Sequence, residues 1–338
     1  MQSIPQKSWI DFFGNLVRFL KKALKPLVPL TWPFRGKYDC RQKPNRPNIR
    51  KLNHGANRIQ WKIDTRNHNV KALFTPFRII HKNRNLLLLL TQRHLASRYQ
   101  GSILGKAWNI FFPLINLSVY TFVFGVVYEG SFGIDENESS IQYALGIFLG
   151  LNFLSFFNES LSVSVGQIVG NPNYVKKIVF PLEVLPVSLI GANLITFMIS
   201  MTLSMIGILV LSNSFTPYAL WLPVIFIPIL IFAQGTAWLF AALGVFYRDL
   251  NPLIQVVTMV MLWMSGIFYS ANALPENAWT FLRFNPILLA VENSRNVLLW
   301  NLEPNLIWIA YTFAISIFTF FAGFFIFRSL KPAFADVI

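Results

Sequence analysis

Six apolar runs, each about the length of a membrane-crossing helix, follow one another between residues 107 and 327. The first, 107–128, is 22 residues without a charge, and at about 1.5 Å per residue it covers roughly the 30 Å of a bilayer core. The others lie at about 141–169, 184–211, 218–246, 252–273 and 305–327. Strands of a membrane barrel alternate over about ten residues, whereas these runs are continuous and about twice as long. The pattern predicts an all-α, polytopic membrane protein with six transmembrane helices.

Two further helical patterns are amphipathic and too polar to cross. Residues 8–29 set Trp9, Phe13, Leu16, Leu20, Leu24 and Leu27 at spacings of three and four, with Arg18, Lys21, Lys22 and Lys25 opposite. This predicts a basic helix that lies on the membrane surface or packs on a partner. It is no secretory signal, since lysines interrupt the apolar face and no small-residue cleavage site follows. Residues 31–75 are rich in Pro, Arg, Lys and Asn and bury too little to order, so 1–75 reads as a basic amino-terminal extension ending in a flexible linker. The run 86–90 is bracketed by Arg84, Arg93, His94 and Arg98, which predicts an amphipathic interface helix leading into the first span. The membrane domain is therefore 76–338. Between the fifth and sixth runs, 276–284 and 286–300 are two short apolar pieces divided by Asn285 and Pro286. Short segments survive at membrane depth only under protein or beside a water-filled cavity, so they read as a re-entrant outer helix pair. A surface amphipathic loop also fits.

Charge sets the orientation. The chain is 54% hydrophobic with a net charge of +15 and a mean hydropathy of +0.49. Of its 29 Lys and Arg, 16 lie in residues 1–75 and only seven beyond 106. An excess ahead of the first span favours an anionic lipid surface over nucleic acid and puts the amino terminus in the cytoplasm. Asp135, Glu136 and Glu138 in the first loop suit the outer side, and Lys176, Lys177, Arg328 and Lys331 the inner side. Six spans then leave both termini cytoplasmic. The single Cys40 makes no intrachain disulfide, and all four histidines precede the first span, so no metal site is expected in the membrane body.

The chemistry is that of transport and not of catalysis. The nearest approach to a phosphate loop, residues 101–107, has three residues between its glycines where four are needed, and Ala107 where a metal-binding hydroxyl belongs. No cofactor or nucleotide site is expected in this chain, so uphill transport draws its energy from another chain or an ion gradient. Within the spans, Glu159 reads either as an ion site or as a carboxylate bonded to a neighbouring helix. Rows of polar residues recur at helical spacing: Gln255, Thr258, Ser265, Tyr269 and Asn272 in the fifth run, Asn152, Ser155, Glu159 and Ser162 in the second, Asn193, Thr196, Ser200 and Ser204 in the third. They fit a hydrated path for a polar substrate, and they also fit interhelical hydrogen bonding. Every fourth residue of the first span gives a winding ladder of Trp108, Phe112, Asn116, Tyr120, Phe124 and Tyr128, whose rings suit a sliding glycan or ordinary packing and lipid contact. Gly146 with Gly150, and Gly166 with Gly170, allow close helix approach.

These residues also resemble a known family, the permease subunits of ABC transporters that export lipid-linked polysaccharides such as O-antigen, capsule and teichoic acid. The resemblance is carried by residues 98–105 (RYQGSILG) with Trp108 and Pro113, by 119–124 (VYTFVF), by 177–183 (KIVFPLE), by 248–250 (RDL), by Leu274 with Pro275, and by Asn285 with Pro286. It runs from about residue 76 to 331. It implies a homodimer of six-span subunits around a channel in the bacterial inner membrane, with two separate ATPase subunits that bind ATP and Mg. It further implies a cytoplasmic gate at Arg98, Tyr99, Gly101 and Ser102, where Arg98 meets the lipid-pyrophosphate headgroup unless it is an ordinary interfacial arginine. ATPase contacts are implied at 76–97 and at 171–181, with Asn171, Pro172, Tyr174, Lys176 and Lys177. An outer gate is implied at Pro275, Trp279, Asn285 and Pro286. A permease for a small drug or lipid, or a membrane glycosyltransferase or ligase acting on polyprenyl-linked sugars, are the competing functions. The resemblance says nothing of residues 1–75.

Overall fold

The computed structural model describes residues 74–134, 138–176, 180–212 and 216–338, all within the unit Asp64–Ile338. The predicted helix over 8–29, its linker, Asp135, Glu136, Lys177 and the side chain of Asn272 lie outside the described residues. All regular structure among the described residues is helical.

Two helices come first, α1 (Thr75–Lys82) and α2 (Arg84–Arg98). Pro76 starts α1, where its missing N–H costs nothing, and α2 buries Leu90 and Thr91, the latter donating to the Ser188 carbonyl at 3.2 Å. Helix α3 (Trp108–Tyr120) contains Pro113 and continues as a π-helical stretch, Thr121–Val127. Helix α4 (Ser140–Val165) opens with a capping box, in which the Ser139 side chain accepts from the Gln142 N–H and the Gln142 side chain accepts from the Ser139 N–H. After the short α5 (Pro172–Lys176) come α6 (Val184–Gly207) and α7 (Leu222–Phe246). Then follow α8 (Leu250–Met264), α9 (Glu276–Leu282), α10 (Pro286–Leu298), α11 (Leu306–Leu330) and α12 (Phe334–Val337).

Among the described residues, five helical stretches are long and apolar enough to cross a membrane: Gly105–Val127, Ser140–Val165, Val184–Val210, Pro217–Phe246 and Leu306–Val337. The predicted fifth run is the exception. Its helix α8 stops at Met264 and not at 273, and its 15 residues reach only about 22 Å. Gly266 ends it with a backbone φ of +64°, a left-handed conformation that few other residues tolerate. The second predicted run is also shorter than expected, since α4 gives way to turns after Val165.

Helix α4 is the hub, buried over 67% of its apolar window against 6% for the first span. Its Phe153 and Phe156 meet Phe197 of α6 and Phe226 of α7, and those two rings stack at 4.1 Å. A second core joins Trp238, Phe320, Phe324 and Phe327 to Leu90, Leu182 and Phe334. Helices α7 and α11 touch through glycine: a Cβ on Gly323 would collide with the Gly235 carbonyl, and one on Gly235 with the backbone of Thr319. Backbones this close gain dispersion contact that lipid cannot offer in exchange.

Candidate substrate path and coupling site

Arg98 ends α2 and reaches into the bundle. Its Nη2 lies 2.8 Å from Glu159 Oε1 and also donates to Asn193 Oδ1, while Nη1 donates to Thr196 Oγ1 at 3.2 Å. One guanidinium thus ties α2 to α4 and α6, a forked geometry that lysine does not offer. Glu159 is a carboxylate paired with a neighbouring helix, and Arg98 is engaged with protein. In the turn behind it, Tyr99 caps α2, Gly101 takes a φ of +82°, and Ser102 Oγ accepts from Trp108 Nε1 at 2.8 Å.

Beside that pair, the polar rows of α4 and α6 face each other. Asn152 donates to Ser204 Oγ and Asn193 to Ser160 Oγ, each at 2.8 Å. The cavity between them, lined by Asn152, Ser155, Glu159, Asn193, Thr196 and Ser200, holds about 40 Å³, room for a few waters and none for a sugar. Asn152, Asn193 and Ser204 thus bond helix to helix within one chain, whereas Ser155 is exposed. The row predicted for the fifth run does not share one helix either. Gln255 and Thr258 lie on α8, Ser265 is fully buried at its end, and Tyr269 sits in the following turn, donating to the Trp263 carbonyl at 2.6 Å.

The first-span ladder is uncovered only in part, at Phe112 and Tyr128. Phe112 is 58% exposed, Trp108, Asn116, Tyr120 and Phe124 are partly covered, and Tyr120, Phe124 and Tyr128 stack in series at 6.2 and 5.8 Å. On α8 only Ile254 is buried. Both helices thus carry faces that no other described residue covers.

The predicted coupling residues assemble beside α2. Arg93 Nη1 donates to Tyr174 OH at 2.9 Å, His94 Nε2 is 3.2 Å from Gln167 Nε2, and Asn171 Nδ2 donates to the Gln167 carbonyl at 2.8 Å. Tyr174 stacks on Phe180 at 4.5 Å, Pro172 begins α5, and Lys176 is exposed at its end. Leu90, Arg93, His94, Ser97, Asn171 and Tyr174 surround a cleft of about 170 Å³. Burial first, and then the charges of Arg93 and Arg98, hold the His94 pKa below its ordinary range, so the ring stays neutral near pH 7.

At the opposite end, Asn285 caps α10 by accepting from the Ile287 N–H at 3.0 Å, and donates to the Met264 carbonyl at 3.0 Å. Pro286 follows as the first helical residue, Pro275 precedes α9, and Trp279 meets Trp308 edge-on at 6.1 Å. The two short helices differ: α9 has no buried residue, whereas α10 is largely buried. What seats α10 is Arg295, fully buried. It donates to the carbonyls of Gly146, Gly266 and Ile267 at 3.0, 2.7 and 2.5 Å and lies 4.2 Å from the Phe132 ring centre. Beside it, Glu292 accepts from the Ala271 N–H.

Residues 85–299 match the family described as ABC-2 type transporter. The chain belongs to that family. This ABC-2 permease is 27% identical over 257 residues to the O-antigen export system permease protein RfbA of Klebsiella pneumoniae, covering 75% of this chain and 95% of the relative. It is 25% identical over 267 residues to the RfbA of Myxococcus xanthus, covering 77% and 98%. The polysialic acid transport protein KpsM of Escherichia coli is 20% identical over 244 residues, 71% of this chain and 92% of the relative. Sequence reasoning singled out Arg98 and Asn171, noted Glu292 and Arg295 only as outer charges near the gate, and missed the Gly235–Gly323 contact. A further signal was Gly146 with Gly150, which turn out to face Arg295 and α10.

Proposed function

We propose that this ABC-2 permease exports a lipid-linked polysaccharide across the bacterial inner membrane as a homodimer, driven by two separate ATPase subunits that carry ATP and Mg. The observation that supports this most is that relatives named for O-antigen export align over 95–98% of their own length. In this reading both termini are cytoplasmic. The glycan moves along the uncovered faces of α3 and α8 between two copies, where Trp108, Phe112, Tyr120 and Phe124 stack on sugar faces and Asn116, Gln255 and Thr258 supply hydrogen bonds.

ATP-driven closure of the ATPases acts on α2 and α5. The Arg93–Tyr174 and His94–Gln167 contacts make these two move together. Arg98 passes the motion to α4 and α6 through Glu159 and Asn193, and opening it exposes cationic donors to a phosphate headgroup. At the outer end the weakly seated α9, carrying Trp279, moves against the fixed α10.

The test is deletion of the gene followed by separation of surface from intracellular glycan. Finished lipid-linked glycan trapped inside the cell is the expected result. Normal surface glycan would point to a small-molecule permease, and absence of the glycan altogether to an enzyme.

A further inference from the structure

The loop that carries α5 leaves α4 after Val165 and rejoins the bundle at Val184. Its first half is held by Arg93 and His94 of α2. Its last residue before α6 is Glu183, whose side chain is only 7% exposed. A carboxylate so enclosed is costly without a partner. Both of its oxygens accept from Lys331 Nζ at 2.8 Å, and its backbone carbonyl accepts from Trp238 Nε1 at 3.0 Å. Lys331 follows directly on α11. Three residues later Phe334 is fully buried between Phe327 and Phe246, with ring centres 5.4 and 6.1 Å away. Helix α12 lies against α5, and Ile338 packs on the same core as Tyr174, Val175 and Phe180.

We infer that Lys331 and Glu183, backed by Phe334, form a brace that seats the α5 loop on α7 and α11, making Lys331 a positioning residue for energy coupling. Lys331 lies outside residues 85–299, the part matched to the family. Through this brace a displacement of α5 is delivered to α11 and, by way of Trp238, to α7, two helices that Arg98 does not touch. The consequence for transport rests on the proposed contact of residues 171–181 with an ATPase, whereas the seating of the loop rests on the contacts above alone.

The test therefore has two readouts, made on the full chain with its ATPase. Val175, partly buried on α5, is changed to Cys with Cys40→Ser, and its labelling by a membrane-impermeant maleimide is timed in inverted vesicles. Lys331→Met and Glu183→Gln are each expected to speed labelling about tenfold, a usual size for coupling between sites. The double variant is expected to match either single one, and Lys331→Arg to stay close to wild type. Labelling at the wild-type rate in both single variants, or additive effects in the double, overturns the brace. The second readout is surface glycan per transporter in the membrane beside ATP hydrolysis by the complex. The brace predicts about tenfold less export with hydrolysis retained, by the same coupling scale. If wild-type chain fails to restore export to the deletion strain, the export reading falls and the labelling result still decides the brace. If export is restored and Lys331→Met exports normally despite faster labelling, the coupling role falls.

Discussion

Arg98 and Glu159 show how the surroundings of a side chain set its role. The arginine is 19% exposed and the carboxylate 40%, so water screens the pair more than a fully enclosed one and its net contribution is modest. Arg98→Met leaves Glu159 and Asn193 without their shared donor. It is expected to lower stability by about 1–2 kcal/mol, between the values for exposed and buried pairs. Arg98→Met with Glu159→Gln is expected to cost no more than Arg98→Met alone, because the unpaired charge is then gone. Thermal unfolding of the detergent-purified protein measures both. The pair lies 61 positions apart in sequence, so neither residue's pattern identified the other. Glu159 was visible as the acid within the second run, and its partner appeared only in the fold, where α2 brings Arg98 to α4.

Among the helices, the fifth and the pair behind it carry the largest departure from expectation. Hydropathy continues through 252–273 because Ile267, Phe268 and Ala271 are apolar, and a sliding apolar run cannot register one left-handed glycine. The carbonyls released where α8 ends would be costly inside a bundle. Arg295 satisfies those of Gly266 and Ile267. Arg295→Met should therefore take the side-chain donor from the buried Gly266 and Ile267 carbonyls at once and cost about 3 kcal/mol or more, seen as reduced membrane abundance and a lower melting temperature. Arg295→Lys should recover little of this, since a single ammonium does not reproduce the fork. The break between α9 and α10 was legible, because Pro286 removes an N–H and Asn285 is a strong capping residue.

At the level of assembly, the uncovered faces dominate. Ile110, Phe112, Ile115 and Val119 on α3, and Leu253, Val256, Met259 and Val260 on α8, are all exposed in the single chain. Single cysteines at these positions, with Cys40→Ser, are expected to cross-link one copy to another in native membranes at one or more sites on each helix. Cross-linking at none of them, with a monomer in native mass measurement, would remove the homodimer and with it the channel between copies.

The apolar runs, their lengths and the charge between them determined by themselves that this chain is a helical, multi-pass membrane protein. The order and spacing of its short motifs pointed to a polysaccharide-exporting ABC permease. Those features are local, set by transfer from water to lipid and by capping and turn chemistry over a few residues. Which polar rows bind one another, which carboxylate pairs with Arg98 and Lys331, and why the fifth helix stops short were decided by tertiary structure. Each depends on a partner far away in sequence: Glu159 for Arg98, Glu183 for Lys331, and Arg295 for the carbonyls behind α8. A buried polar group requires such a partner, but composition and periodicity do not say where along the chain it will come from.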